Sequence, residues 1–175
     1  MTPLIRAMTA DDCDAVAALR IDGWRWAYTG LIPQSYLDAM SVEEDAARRR
    51  AQLADGDGRV VNLVAERAGL VVGWGCLGPS RDEGVPDGAG ELYALYVSPG
   101  HVATGVGRSL LDSLLGHAAA HGHSPLLLWV LEENHRARRF YEMAGFLLDG
   151  AEEPFEVDGV AVPEVRYARG LTRAV

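Results

Sequence analysis

The chain has 175 residues, 49% of them hydrophobic and 23% charged, with a net charge of −9 and a pI near 4.9. That size and balance fit one globular domain over residues 1–175 with room for a substantial core. So acidic a surface argues against nucleic acid and anionic membrane as partners, since either needs clustered lysine and arginine, and it suits an amine that arrives protonated.

Residues 4–8 read as a short first strand. Thr9 followed three residues later by Asp12 is a capping-box pattern, and the helix it opens carries Cys13, Ala17, Ile21, Trp24 and Tyr28 at helical spacing. Gly30 ends that helix, Pro33 permits a short second one through Leu37, and Ser41 with Glu44 starts a polar third to about Leu53. Trp24 is assigned to the core, where aromatic rings bury the most apolar area.

Residues 60–66 and 70–77 form a hairpin around Arg67-Ala68-Gly69. Gly73-Trp74-Gly75-Cys76-Leu77-Gly78 spells the dinucleotide fingerprint, yet no helix opens inside it. Its glycines lie in a strand that runs into Pro79, where glycine marks a bend or bulge. Residues 79–90, rich in glycine, proline and aspartate, are a surface loop.

Residues 91–97 are an aromatic-rich strand buried on both faces and stopped by Pro99. Next comes a helix whose apolar stripe is Leu110, Leu111, Leu114, Leu115 and Ala118, with Gly105 and Gly107 in its first turn. Glycine is a poor helix former. Here the absence of Cβ lets an anion reach the unpaired amides and the positive end of the helix dipole. Thr104 would add a hydroxyl and Arg108 a charge. The same glycines would also let the helix pack close to the sheet, so the loop by itself leaves both readings open.

A second buried strand, 126–130, leads into Asn134-His135-Arg136-Ala137-Arg138-Arg139-Phe140-Tyr141-Glu142-Met143-Ala144-Gly145-Phe146. Asn134 is placed to cap this helix and Gly145 to stop it, while Ala137, Phe140, Tyr141 and Ala144 share a face turned away from three arginines. A strand to about Val157, an Asp158-Gly159 hairpin turn and a last strand over 165–169 complete the chain.

The pairing of Gly105-Val106-Gly107 with Asn134, Ala137, Phe140, Tyr141, Gly145 and Phe146 resembles the acetyl-CoA signature of the GNAT N-acetyltransferase superfamily. Trp24-x-x-Ala27-Tyr28-x-Gly30-x-x-Pro33 is similar to the N-terminal segment that overhangs the acceptor cleft in a large bacterial subgroup of that family, which makes Trp26 and Tyr28 candidate walls of that cleft. One departure is that Val102 stands where the family carries Gln or Arg, so a contact there comes from the backbone. The resemblance implies a mixed α/β fold with a largely antiparallel central sheet flanked by helices. It implies acetyl-CoA as cofactor and acetyl transfer to a primary amine of a small molecule or a peptide N-terminus. It leaves room for a homodimer, and for an acyl-CoA-binding module that has lost turnover.

Transfer from a thioester to an amine asks for three things: removal of a proton from an amine of pKa about 10, stabilisation of the carbonyl oxygen, and stabilisation of the departing thiolate. Under the resemblance Tyr141 sits near the sulfur. A phenol of pKa about 10 does not hand its proton downhill to a thiolate of about 8.5, so hydrogen bonding is its safer role; a core tyrosine is the competing reading. Under the same resemblance Glu91 is the candidate base, acting directly or through a water chain, against a solvated carboxylate at a strand start. The amide near Leu95 would hold the carbonyl oxygen. Amides from Leu95, Tyr96 and Val97, with the Asn134 side chain, would hold the pantetheine arm. Val102, Ala103, Thr104, Gly105, Val106, Gly107 and Arg108 would cradle the pyrophosphate.

No metal is expected: His117 and His121 lie one turn apart with His123 near, but no cysteine or carboxylate at suitable spacing completes a site. No apolar run approaches a membrane span and no export signal is evident, so the expected location is cytoplasmic, with Cys13 and Cys76 as reduced, buried thiols.

Overall fold

The computed structural model describes residues 2–172. Seven strands form one sheet, numbered here in chain order: β1 (Leu4–Ala7), β2 (Val61–Arg67), β3 (Leu70–Pro79), β4 (Gly90–Val97), β5 (Leu126–Leu131), β6 (Leu147–Val157) and β7 (Val160–Arg169). Their order across the sheet is β1-β2-β3-β4-β5-β7-β6, and every pairing is antiparallel except β4 with β5. A parallel pair needs a crossover, and the helix α4 (Val106–Ala120) supplies it. Three helices, α1 (Cys13–Tyr28), α2 (Gln34–Ala39) and α3 (Val42–Asp55), lie between β1 and β2; α5 (His135–Met143) follows β5.

Successive strand residues face opposite sides, and the two helix layers follow from that alternation. Leu63 of β2 joins the cluster built by Leu110, Leu111 and Leu114 of α4, whereas its neighbour Val64 joins Cys13, Val16 and Ala17 of α1 and Ala46 of α3. The whole apolar stripe of α4 is buried. Gly75 is what lets it approach: a Cβ there would lie 2.5 Å from Leu114 Cδ1. The Gly73–Gly78 run is thus strand, and its glycine makes room for a helix.

Local signals act much as the residues dictate. Asp12 Oδ2 accepts the Thr9 N–H at 2.8 Å and the Thr9 hydroxyl at 3.0 Å, but residues 10–12 form a 3-10 turn before α1 starts at Cys13. Ser41 Oγ caps α3 by accepting the Glu44 N–H. At the end of α5, Gly145 takes a φ of +85°, and the Phe146 and Gly145 amides bond back to Tyr141 and Glu142 carbonyls at 3.1 and 3.0 Å. Asp158 and Gly159 both have positive φ, which matches a two-residue hairpin to the twist of its strands. The last strand is longer than the expected 165–169 because β7 continues through Pro163 back to this turn.

Cys13 and Cys76 are free and buried, and burial pushes the Cys76 thiol up to about 12. Among the described residues no helix is long and apolar enough to cross a membrane, and no cluster of three metal-ligating side chains occurs.

Candidate active site

The site begins with a failure of pairing. β4 and β5 hydrogen-bond only at Gly90–Leu126 and Glu91–Leu127, and then the two strands part. From Leu92 to Val97, β4 is paired on the β3 side alone, so the amides and carbonyls of its other edge face the gap. A register shift between Cys76 and Leu77 leaves Tyr93 as an extra residue on β4, which bends the strand there. The gap opens into a cleft of about 1550 Å³, lined along its length by Leu92–Val97 on one wall and Leu128–Leu131 on the other.

One end of the cleft is the start of α4. Ala103 and Gly105 have φ of +61° and +87°, so the chain turns twice before the helix. The first helical bond is Ser109 N–H to Gly105 O at 3.0 Å, which leaves the Val106, Gly107 and Arg108 amides without a carbonyl within the helix. Val102, Ala103, Gly105, Gly107 and Arg108 line the cleft. The two glycines differ in purpose. A Cβ at Gly105 would meet nothing within 4 Å, so its conformation is what calls for glycine; one at Gly107 would meet Val97 at 3.4 Å and Phe140 at 3.6 Å, so there close packing counts too.

Two of the expected contacts are corrected. The Thr104 hydroxyl donates to His101 O at 2.6 Å, accepts from Arg67 Nη1 at 3.0 Å, and borders a separate cavity of about 270 Å³ outside the cleft. The Val106 side chain is fully buried against Ala65 and Val72, leaving only its amide for a ligand. Arg108 lies at the mouth, paired with Asp112 one turn on.

Tyr141 stands midway along the cleft. Phe140 and Phe146 meet its ring edge-on at 5.2 and 5.8 Å, while its hydroxyl bonds to no described group. Burial holds its phenol well above the ordinary range, so it stays protonated at neutral pH. Asn134 Oδ1 caps α5 by accepting the Ala137 N–H at 3.2 Å, which commits the oxygen but not the side-chain NH₂. Glu91 is not the solvated carboxylate of a strand start. It is 3% exposed, and Arg81 brackets both of its oxygens at 2.5 and 3.0 Å. With both oxygens held this way, Glu91 has little room left to receive a substrate proton.

The other end is aromatic. Trp24 is buried, as its assignment to the core requires, and it also lines the cleft. Its indole N–H donates to Tyr96 Oη at 2.8 Å, tying α1 to β4. Tyr28 meets the Trp24 ring edge-on at 4.9 Å, and Tyr36 and Phe155 lie 6.1 Å from it. Tyr96 therefore contributes more than a backbone: its ring also stacks on Trp74. Trp26 is 48% exposed at the rim, with the Arg136 guanidinium 4.5 Å above its ring, so that arginine of α5 is turned toward the cleft.

Sequence reasoning passed over Glu164, Glu153, Tyr36 and Phe155, all of which line this end. A signal existed. A two-residue turn at Asp158-Gly159 fixes Val157 opposite Val160, and counting outward sets Phe155 opposite Val162 and Glu153 opposite Glu164.

The fold agrees with what known proteins show. The model of the acetyltransferase (GNAT) family matches residues 21–146, and the chain belongs to that family. An uncharacterised N-acetyltransferase of Bacillus subtilis, YuaI, is 30% identical over 92% of this chain and 89% of its own length. Among solved structures, the ribosomal-protein-alanine N-acetyltransferase of Brucella melitensis is 26% identical with a TM-score of 0.75, covering 96% of this chain and 99% of that one. The PaiA N-acetyltransferase of Thermoplasma acidophilum, in complex with coenzyme A, shares the fold at 19% identity and a TM-score of 0.71, covering 94% of this chain and 98% of that one.

Proposed function

We propose that the protein transfers an acetyl group from acetyl-CoA to a primary amine by direct attack within the cleft. One observation carries this reading: the free edge of β4, the bare amides at the start of α4 and the unbonded Tyr141 hydroxyl all border a single open cleft with an aromatic far end. The coenzyme A held by the PaiA enzyme on the same fold supports the choice of cofactor. The residues present suit such a molecule. The Gly105 turn and the Val106–Arg108 amides match a pyrophosphate, and the Leu95–Val97 edge together with the Asn134 NH₂ matches an amide-bearing arm.

When bound, acetyl-CoA supplies the activated acetyl thioester. The chain's own part is electrostatic and positional. An amide of β4 near Leu95 meets the negative charge that grows on the carbonyl oxygen. Tyr141 donates a hydrogen bond to the departing sulfur, and its raised pKa makes it a lasting donor rather than a ready source of protons. The aromatic end, with Tyr28 on its wall and Trp26 at its rim, holds the acceptor. An open cleft favours catalysis over a module that only binds acyl-CoA, since a sensor needs no path for an acceptor. The test is thiol release from acetyl-CoA across a panel of primary amines, run beside a thermal shift with coenzyme A. Turnover with at least one amine is expected; a shift without turnover on any amine would leave a binding module.

A further inference from the structure

The acceptor end of the cleft holds a carboxylate with nothing to neutralise it. Glu164 lies on β7, opposite Leu131 of β5 and opposite Glu153 of β6. Directly paired strand residues share a face, as do residues two apart, so Glu164 shares the face of Val162. Val162 packs with Trp24, Ile32 and Leu37, which turns this face toward α1 and α2. Glu164 is half-buried there, and among the described residues its carboxylate makes no hydrogen bond or ion pair. Contrast Glu91, whose oxygens are taken by Arg81, and Arg166, the next residue on the Glu164 face, which is spent on Asp82 and Asp149.

The two arginines placed beside these carboxylates, Arg166 and Arg81, are both engaged in ion pairs of their own. Glu153 lies opposite Glu164 on β6, and the charges of Glu153 and, less strongly, Glu91 on β4 make ionising it harder. The phenol of Tyr28 on α1 is pushed up by burial first, then by Tyr96 and Tyr141, and to a smaller degree by Glu164. Glu156 also lines this end. An uncompensated carboxylate in an apolar setting is costly, and a cation arriving with the substrate would relieve it.

We infer that Glu164 takes the proton from the acceptor's ammonium group, and that this end of the cleft admits a cationic amine with no carboxylate beside it. The inference rests on the N-acetyltransferase reading and names its base and its substrate class. The ammonium enters opposite the Glu164 carboxylate and gives it one proton. The freed nitrogen lone pair forms the C–N bond to the acetyl carbon while the C–S bond breaks. The second nitrogen proton ends on the departing sulfur, whose charge Tyr141 meets on the way, and Glu164 returns its proton to solvent. A carboxylate next to the amine would face Glu153 and Glu164 and be repelled. Burial and the neighbouring glutamates raise the Glu164 pKa to about 7, near what a base working at neutral pH requires.

The experiment measures thiol release with two matched pairs of acceptors, phenethylamine against phenylalanine and cadaverine against lysine, for wild type, Glu164→Gln and Glu164→Asp. In each pair the amine lacking the carboxylate should lead by about tenfold or more in kcat/KM. Wild-type kcat/KM should rise with pH through about 7 and hold until the amine itself loses its proton near 10. Glu164→Gln should fall about 10²-fold at pH 7 and lose that plateau, climbing steadily toward pH 10 because only free amine now reacts. Glu164→Asp, which keeps the charge, should keep the acid limb at a lower rate, and thermal unfolding of each variant checks that it is folded. An active wild type with an unaltered Glu164→Gln pH profile overturns the assignment of the base. Equal or reversed preference within the pairs overturns the substrate class. No thiol release with any amine, despite a thermal shift with coenzyme A, removes the N-acetyltransferase reading and this inference with it.

Discussion

Arg81 closes on Glu91 with three donors: its backbone N–H at 3.0 Å, Nε at 3.3 Å and Nη2 at 2.5 Å. The arginine is largely exposed on the 80–89 loop and the glutamate is buried at the point where β4 and β5 part, so the pair fastens a surface loop over the root of the cleft. Its neighbour Asp82 completes the fastening by accepting from the Trp129 indole of β5 and the Arg166 guanidinium of β7, each at 2.9 Å.

This pairing makes Glu91 a structural anchor whose removal is felt in stability first. Arg81→Ala should cost about 1–3 kcal/mol, because it strands a buried acceptor. Glu91→Gln should cost less, since the amide oxygen still accepts a hydrogen bond and the exposed guanidinium it leaves is met by water, and the double variant should fall short of the sum of the two. Thermal unfolding of the four proteins measures the coupling; strict additivity would show that the contact carries no energy.

Tyr141 is placed by its ring and free at its hydroxyl. Tyr141→Phe should therefore fold with a melting temperature near wild type and retain its thermal shift with coenzyme A. Its kcat should drop about 10²-fold, the size of a single general acid or donor contribution. An unchanged kcat removes Tyr141 from the chemistry and leaves it a packing residue.

At Gly105 the backbone conformation sets the requirement. Gly105→Ala meets no steric obstacle, so the strain of a left-handed alanine, about 1–2 kcal/mol, is the whole expected effect on stability. The turn relaxes to escape that strain and moves the α4 amides, so coenzyme A should bind more weakly than the stability loss alone accounts for. Gly105→Asn, which tolerates positive φ better, should retain more of the thermal shift. Calorimetric titration with coenzyme A ranks the three proteins.

Acid stability should depend visibly on Asp12. Hydrogen bonds from Arg6, first, and from Thr9 lower its pKa from 3.8 to about 2 in the folded protein. The folded state thus prefers the ionised form: the stabilisation is complete above pH about 4, where the unfolded carboxylate is also charged, and is lost as pH falls through about 2. Asp12→Asn should lower the melting temperature at neutral pH and flatten the decline between those two values, as read by melting temperature against pH.

Much of this molecule is written in local pattern. The stripe of α4, the caps at Ser41 and Asn134, the stop at Gly145 and the hairpin turn at Asp158-Gly159 are short-range signals, each satisfied by residues a few positions away. The motif residues of the cofactor end were legible for the same reason: Gly105, Gly107, Asn134 and Tyr141 lie on two adjoining strand–helix units, and the free amides that begin α4 follow from helix geometry alone.

Partnership across the sheet was not legible. Whether Glu91 is solvated or tied to Arg81, whether Thr104 faces a ligand or Arg67, and whether Trp24 reaches Tyr96 depend on contacts spanning 10, 37 and 72 positions. No local periodicity encodes these. The sequence by itself determined which stretches are strand or helix and which loop could hold an anion, because those follow from hydrogen bonds and side-chain spacing within one turn or one hairpin. Only the tertiary structure decided which carboxylates are neutralised and which, the half-buried Glu164 among them, stand without a partner among the described residues, because the charge state of a buried group is set by whatever distant chain folds against it.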